Sequence, residues 1–560
     1  MAKFRNQKLA QTLANTPAQP NLVAAKKIPT PNTVNRQGFE AYSIDKWLRL
    51  LALLNVTKLQ NEFYRTESQA INEVKLLVGE CATENPYLTA QCIVYSRCMG
   101  EGMRSVNHLA ATELAKYVSG QEWAKRFYGL WNKKAQKGGT IYRPDDISEI
   151  VACYSALNPK TVTIETRNGQ TQMMKNVAIT NAMKKGFKSA LENMDAHLLL
   201  KYKNSLLDII NLVRPNPKAS KATVTYNGEI VPVFDAIIKG YNVSADTWEV
   251  AQSDAGQEVA KAVKEGKITK TEATEILAEA KSDNWKGLLT DGKLGILAAI
   301  RNIRNILLNK PDSTTIDLLC QLIGDPKNII QGKIMPYQID LAIEVINTEF
   351  SDPSSRRVVQ TLLKVYEDSI PNLSQLLIGN NLVIVDLSGS MSTRITDGNA
   401  KNRKSYKSTC ADKALLIAAT IAKATNADII RFGSSAEYVK YNANQDVFSL
   451  GGSMYDSMGG TNLDSAWRCA ANSGRVYNRV FILSDNECNV GSSYNGYTNY
   501  ISKCGDPYVY SIDLAAYGTT AIAGPKVRYY YGYGFSMFED IATSEFNPMA
   551  HIDKVKKIVI

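Results

Sequence analysis

The chain has 560 residues, which is more than one hydrophobic core usually covers, so two or more domains are expected. Its 44% hydrophobic and 21% charged residues are ordinary for a globular protein, and the absence of any run of ~20 apolar residues excludes a membrane span. Lysine and arginine outnumber aspartate and glutamate by 65 to 54, and the formal charge of +11 predicts attraction to polyanions, with solubility alone as the alternative.

The first 38 residues are predicted to form a flexible basic tail. Up to residue 36 this segment has basic residues, no acidic ones and the proline-rich run IPTPNTVN, so it has few apolar groups for a core. No apolar segment with a cleavage site follows the start, so we expect a cytoplasmic protein rather than a secreted one. The nine scattered cysteines lack metal-binding spacing and are predicted to be reduced, mostly packed thiols.

From residue 39 to 375 the pattern is that of short helices in succession. Ser43 is expected to cap the first helix, while Thr66 and Pro86 are expected to open the next two. Further helical segments follow without an exact period, and their length and density predict a HEAT-like repeat array. The segment KATVTYNGEIVPVF, with Asn227 and Gly228 at its centre, predicts a small hairpin between helices.

Residues 376 to 560 are predicted to form a doubly wound α/β domain. The run NLVIVDLSGS is continuously apolar up to Asp386, as in a strand that is buried on both faces of a parallel sheet. Helices DKALLIAATIAKAT and LDSAWRCAAN then alternate with the strands ADIIRFG, RVFILSD, DPYVYSIDL and KVRYYYGYG. The rings of RYYYGYG are expected to pack inside the domain, with base stacking as the alternative.

Three polar segments are predicted to meet beyond the carboxyl ends of these strands, where open parallel sheets bind ligands. The first contains Asp386, Ser388 and Ser390, the second Thr461, and the third Asp485. Two carboxylates and three hydroxyls, without Cys or His, predict a hard divalent cation such as Mg²⁺. The alternative is that Asp386 only caps the following turn.

The D-x-S-x-S spacing that begins at Asp386 resembles the metal-ion-dependent adhesion site of von Willebrand A domains. Thr461 and Asp485 match the second and third loops of that family. The resemblance implies that Ser388, Ser390 and Thr461 contact the metal or its waters, that the two aspartates orient these ligands, and that one coordination position stays open. An open position implies a protein partner that supplies an acidic side chain.

We expect no enzymatic activity. A metal-dependent hydrolase is the alternative, and it would need a base beside a metal-bound water. His108, His197 and His551 lie far from the three loops in sequence, so Asp485 or Glu487 would have to serve as that base.

A helical array before such an α/β domain resembles the Ro autoantigen family, whose helical part is the TROVE module. NLVIVDLSGSM, GGTNLDSAW and VFILSDNECNVG carry the resemblance, and KLGILAAIRNI and KIMPYQIDLAIEV extend it upstream over about residues 40 to 560. The family implies a ring of helices that the α/β domain closes, a basic hole that admits single-stranded ends of misfolded RNAs, and an outer face that binds small structured Y RNAs. Because a family insertion is missing here, a bacterial or viral member is expected.

The chain's own support for RNA binding is a basic cluster on adjoining predicted helices. Its members are Lys184, Lys185, Lys188, Lys201, Lys203 and Arg214. A solvated lysine face is the alternative.

The sequence departs from the Ro family in this region. Ro proteins usually carry a Trp-Ser-His insertion where KYKNSLLDII runs straight on, and Arg214 falls where they have a histidine. The sequence therefore favours binding of single-stranded ends over Y RNA recognition. We predict a monomeric, non-enzymatic ribonucleoprotein component in RNA quality control, with a metal-dependent protein-interaction module and a hydrolase as alternatives.

Overall fold

A computed structural model describes most of the chain, and helices predominate in it. The described residues are 27–100, 103–131, 144–158, 160–165, 171–176, 179–241, 243, 259, 261–265, 267–332, 334, 336–369, 376–394, 409–532, 536–545 and 547–560. Two compact units alternate along the sequence. Unit 1 comprises Met1–Ala70, Gly295–Arg304 and Leu319–Lys554, and unit 2 comprises Ile71–Leu294, Asn305–Leu318 and Val555–Ile560. The predicted domain boundaries at residues 38 and 375 stay predictions.

The helices up to residue 369 follow one another closely, as the sequence pattern predicted. They are α1 (Lys46–Val56), α2 (Glu67–Glu84), α3 (Pro86–Cys98), α4 (Ser105–Leu114), α5 (Ala124–Gly129), α6 (Asp146–Leu157), α7 (Asn181–Glu192), α8 (Ala196–Lys201), α9 (Lys203–Val213), α10 (Val233–Ile238), α11 (Lys270–Thr290), α12 (Ile296–Leu308), α13 (Ser313–Ile323), α14 (Pro326–Gln331), α15 (Pro336–Glu349) and α16 (Pro353–Ser369). None of the helices in the described ranges has the length and hydropathy that crossing a membrane requires.

The starts of the first three helices show which capping signals were correct. Ser43 does not cap α1, because it ends a strand and pairs with Thr519; the cap is Asp45, whose carboxylate accepts the backbone N–H groups of Trp47 and Leu48. Thr66 opens α2 as predicted, through reciprocal hydrogen bonds between its backbone and side chain and those of Gln69. Pro86 is the first residue of α3, after an Asn85 cap.

Two hairpins interrupt the helices of unit 2. The predicted one is present: β5 (Thr223–Tyr226) and β6 (Glu229–Pro232) pair antiparallel. Its turn residues Asn227 and Gly228 have φ angles of 49° and 82°, the left-handed conformations that a tight two-residue hairpin turn requires. The other hairpin pairs β3 (Lys160–Glu165) with β4 (Thr171–Asn176) and was not predicted.

A buried network of charges connects α3, α4 and α6 in unit 2. Asp146 has no exposed surface, and one of its carboxylate oxygens accepts hydrogen bonds from Arg97. Its other oxygen accepts from Arg104 and lies 3.0 Å from His108 Nε2. The second ring nitrogen of His108 lies 3.0 Å from Glu149 Oε2. Helices that are distant in sequence are therefore joined by paired charges as well as by apolar packing.

A mixed six-stranded sheet forms the centre of the C-terminal region, within unit 1. Its strands are β7 (Asn381–Asp386), β8 (Asp428–Phe432), β9 (Ala436–Tyr438), β10 (Arg479–Ser484), β11 (Tyr508–Asp513) and β13 (Val527–Tyr531), in the spatial order β13-β11-β10-β7-β8-β9. Neighbours are parallel except for the edge strand β9, which was not predicted and runs antiparallel to β8. All residues of β7 and β10 are buried, as their apolar sequences predicted.

Helices alternate with these strands, as the sequence predicted. They are α17 (Cys410–Thr425), α18 (Val447–Ser453), α19 (Leu463–Asn472), α20 (Ser493–Lys503), α21 (Ser536–Ser544) and α22 (Ala550–Lys556). Trp467 of α19 is fully buried in the core beside the rings of Tyr497 and Tyr500 from α20. Tyr530 and Tyr531 of β13 are buried too, as predicted for the aromatic run, whose residues 533 and 534 lie outside the described residues.

The last part of the predicted tail is folded. Residues 1–26 lie outside the described residues, but β1 (Thr33–Val34), β2 (Glu40–Ser43) and β12 (Thr519–Thr520) form a small sheet in unit 1. Asn35 is buried, and its side-chain amide donates to the Cys488 carbonyl at 2.6 Å. Polar contacts of this kind hold a segment that is poor in apolar residues, so its composition did not reveal them.

Candidate functional site

The three predicted polar segments come together at the carboxyl ends of β7 and β10. These strands are parallel neighbours, and Asp386 ends one while Asp485 follows the other. Backbone hydrogen bonds attach the second segment: Met458 N–H donates to Leu387 O at 3.2 Å, and Gly389 N–H donates to Gly459 O at 2.9 Å. The topology thus gathers all five predicted metal-site residues in one region of unit 1.

Both aspartates of this site are buried, at 0% exposure for Asp386 and 1% for Asp485. The Asp386 carboxylate accepts the Ser388 N–H at 2.9 Å and the Ser484 hydroxyl at 2.6 Å. Asp485 Oδ1 accepts the Glu487 N–H at 3.1 Å, whereas its Oδ2 has no hydrogen-bond partner in the described part of the chain. A buried carboxylate oxygen without a partner is costly unless a cation or proton compensates it.

The pKa values of Asp386 and Asp485 are both raised. Burial raises the pKa of Asp386, and the charge of Asp485 raises it further. Burial also raises the pKa of Asp485, although a hydrogen bond from Ser390 lowers it in part. Two buried carboxylates whose pKa values are both raised favour a proton or a cation close to them.

The three hydroxyl residues are buried as well, at 4% exposure for Ser388, 3% for Ser390 and 1% for Thr461. The Oγ atoms of Ser388 and Ser390 are 3.2 Å apart, and the Thr461 N–H donates to the Asn489 side chain at 2.8 Å. No group of three or more His, Cys, Asp or Glu side chains is arranged for a metal among the residues that the structure describes. A cation here would therefore need hydroxyl oxygens beside the two carboxylates, and this oxygen-only set fits Mg²⁺.

Sequence reasoning missed the partners of the third loop. Glu487 is fully buried; one of its carboxylate oxygens accepts the Arg36 N–H at 2.9 Å, and the other has no partner among the described residues. Burial raises the pKa of Glu487 to about 8, and the Asp485 charge contributes. Asn486 adopts a φ of 63°, and its side-chain oxygen accepts from Ser511 and from Ala521 N–H. Arg36 is more than 400 residues away in sequence, so no local signal could have revealed its contact.

The predicted RNA-binding lysines of α7 differ in their surroundings. Lys184 and Lys185 are exposed, whereas the ammonium of half-buried Lys188 lies 3.9 Å from Glu192 Oε1 on the same helix. The other half of the predicted set begins on α8 and α9. Glu192 also accepts the Asn216 N–H at 2.7 Å, so the end of α7 lies beside the segment that follows α9.

The remaining three residues of the predicted RNA site differ in how freely their charges could contact a phosphate. Lys203 donates to the Val243 carbonyl at 2.8 Å, and the ammonium of Lys201 lies 5.8 Å from the centroid of the Tyr202 ring. Arg214 caps the end of α9 in a left-handed conformation, with φ at 51°, and is exposed. The most exposed cations of the predicted set are therefore Lys184, Lys185 and Arg214.

A groove of about 470 Å³ lies elsewhere in unit 1, between α13 and α16. Its lining includes Asp325, Arg357, Lys364 and Asp368. The charges balance, and the groove does not include any residue of the predicted metal or RNA sites.

Comparison with known proteins identifies the class first. Residues 91–363 match the family model of the TROVE domain, so this part of the chain is a TROVE domain. The structure is similar to the crystal structure of the RO (RSR) protein of Deinococcus radiodurans, with a TM-score of 0.54 and 16% identity over 90% of this chain and 99% of that one. No curated protein matches in sequence. The resemblance to the Ro autoantigen family that was seen in the sequence is confirmed by these two matches.

Proposed function

We propose that this chain is an RNA-binding protein that takes up single-stranded ends of misfolded or small non-coding RNAs, as a cytoplasmic, monomeric ribonucleoprotein component in RNA quality control. The observation that carries the proposal is that the TROVE match spans α7 to α9, which expose Lys184, Lys185 and Arg214. Side chains of this kind neutralise phosphates without reading base edges. Recognition of a Y-like RNA is a weaker part of the proposal, because Arg214 stands where the family has a histidine.

The test is a charge reversal of the three exposed cations. A variant with Lys184→Glu, Lys185→Glu and Arg214→Glu is expected to bind a single-stranded 3′ end at least tenfold more weakly, with a shallower salt dependence, because phosphate contacts are lost. Lys201 and Lys203 are left unchanged because Lys203 also holds the Val243 carbonyl, and its loss would disturb the fold.

The matched control carries the same change of charge elsewhere in unit 2. Lys261, Lys264 and Lys267 are exposed, and their replacement by Glu is expected to leave most of the affinity. Equal losses in both variants would mean that only bulk charge matters. Unchanged affinity in the first variant would remove these residues from the RNA site.

A second role is proposed for the α/β part, which we take to be a von Willebrand A domain, as we take the helices to be a HEAT-like array. Asp386, Ser388, Ser390, Thr461 and Asp485 would hold Mg²⁺, and an open position on the metal would accept an acidic side chain of a protein partner. Asp485 Oδ2 supports this role, because none of the described residues donates a hydrogen bond to it.

Calorimetric titration with Mg²⁺ tests the metal site directly. Heat of binding is expected for the unaltered chain and not for Asp386→Ala, whereas both are expected to bind RNA. We propose no catalytic role: a hydrolase would turn over RNA or a nucleotide in a Mg²⁺-dependent reaction that Asp386→Ala abolishes. Absence of Mg²⁺ binding to the unaltered chain would contradict the metal proposal without affecting the RNA proposal.

A further inference from the structure

A tyrosine of the predicted hairpin β5–β6 stacks on a second tyrosine, and the proposed function does not use this pair. Tyr226 ends β5, and Tyr241 follows α10. Their ring centroids are 4.2 Å apart, with an angle of only 10° between the ring planes. Both residues are half-buried, and neither belongs to the buried core. The pair is therefore a partly exposed aromatic stack beside a short hairpin rather than part of a core.

The hairpin has a fixed position within unit 2. Val233 N–H, at the start of α10, donates to the Ala222 carbonyl just before β5 at 3.1 Å. Helix α10 contacts both α8 and α9, and Lys203 of α9 donates to the carbonyl of Val243, two residues after Tyr241. The tyrosine pair is thus held against the helices that carry part of the proposed RNA site.

The chain around the tyrosine pair is rich in basic residues. Residues 201 to 241 contain six basic and three acidic side chains. Lys218 and Lys221, in the segment that leads into β5, are exposed, as is Lys239 at the end of α10. The ammonium of Lys239 lies 5.8 Å from the centroid of the Tyr241 ring. Aromatic faces beside mobile cations are the combination that binds single-stranded nucleic acid, because bases stack on rings while lysines meet phosphates.

We infer that the hairpin platform, defined as Tyr226, Tyr241, Lys218, Lys221 and Lys239, binds a segment of single-stranded RNA. A base continues the tyrosine stack, and the lysines contact the adjoining phosphates. This inference rests on the proposed function, since it names a further surface for the same RNA. A protein strand that adds to the open edge of the hairpin would need neither the rings nor the cations, so the charge and the aromatic stack favour RNA.

The experiment measures binding of a short fluorescein-labelled oligouridine by anisotropy at several salt concentrations. Tyr226→Leu keeps an apolar side chain but removes the ring, and is expected to weaken binding about tenfold, whereas Tyr226→Phe restores it. The variant Lys218→Glu, Lys221→Glu, Lys239→Glu is expected to weaken binding and flatten the salt dependence. Because these lysines are exposed, that variant tests the platform even if Tyr226→Leu disturbs the hairpin.

The outcomes separate the two proposals. If the unaltered chain binds no RNA, both fail. If the unaltered chain binds RNA, and the platform variants bind it as tightly as the unaltered chain and the control variant of Lys261, Lys264 and Lys267 do, only the platform is refuted. The tyrosines would then only pack the hairpin. If RNA affinity is unchanged in the platform variants but these variants no longer bind an extended peptide that the unaltered chain binds, the platform would be assigned to a protein partner instead. Loss in the leucine and glutamate variants, with rescue by phenylalanine, supports RNA stacking.

Discussion

Replacing Asp146 with asparagine is expected to destabilise unit 2 strongly. Asp146 accepts a 2.7 Å hydrogen bond from Arg97, whose side chain is only 4% exposed, and it contacts Arg104 and His108 as well. Burial alone would raise the pKa of Asp146, but His108 and the arginines outweigh it and hold the pKa far below its usual range. Asparagine keeps the size but removes the carboxylate charge that faces the buried Arg97. Loss of one member of a buried pair costs about 3–5 kcal/mol.

Thermal unfolding and hydrogen exchange measure this effect together. A chain with two units need not unfold in one step, so exchange in peptides of α3, α4 and α6 assigns the loss to the network. The control is Asp145→Asn: Asp145 lies 3.2 Å from Arg104, whose side chain is 28% exposed, and its replacement is expected to cost less than about 1 kcal/mol. Equal, small effects of the two substitutions would refute the reasoning.

Three further predictions concern pH, packing and metal. Burial lowers the pKa of His108, but its hydrogen bonds to two carboxylates outweigh burial and raise this pKa above the ordinary value. The protonated ring therefore stabilises the fold fully below pH ~6.5, and this stabilisation is lost as pH rises through the folded pKa. The difference in stability between the unaltered chain and His108→Gln should shrink at alkaline pH, and a difference that is constant from pH 6 to 9 would contradict this. Gly186→Ala is expected to destabilise the fold by about 1–3 kcal/mol and to lower the unfolding midpoint, because the added Cβ would lie 2.6 Å from the Lys125 carbonyl oxygen. An unchanged midpoint would contradict this prediction and show that α5 and α7 can move apart at little cost. Mg²⁺ at a hundred times its dissociation constant should stabilise the unaltered chain by about 2.7 kcal/mol but not Asp386→Asn, and equal shifts in thermal denaturation would place the metal elsewhere.

The sequence predicted best where one local pattern decides the structure. Continuous apolar runs that end in polar residues placed β7 and β10, and parallel strands necessarily bring their carboxyl ends to one edge, so the meeting of Asp386 with Asp485 was foreseeable. The Asn227-Gly228 pair placed the hairpin because few residues tolerate its left-handed conformations.

Contacts between distant segments were not predictable in the same way. Residues 33–34 looked like part of a tail, but they pair with residues 40–41 of a strand that also pairs with residues 519–520, and no local pattern encodes such partners. Asp146 has the ordinary appearance of an acidic residue in a first helical turn, and only the fold brings Arg97 to it. The basic cluster was predicted from residue type alone. Residue type could not distinguish Lys184, which is exposed, from Lys203, whose ammonium donates a hydrogen bond to the Val243 carbonyl.

RNA binding is the central claim, and its most direct test is titration of the purified chain with two labelled RNAs at several salt concentrations. One RNA has a single-stranded 3′ end, and the other is a blunt duplex of the same sequence. We expect preference for the free end and a steep fall in affinity with salt, because exposed lysines and arginine would release counterions from phosphates. Failure to bind either RNA would contradict the claim and leave metal-dependent recognition of a protein as the leading account.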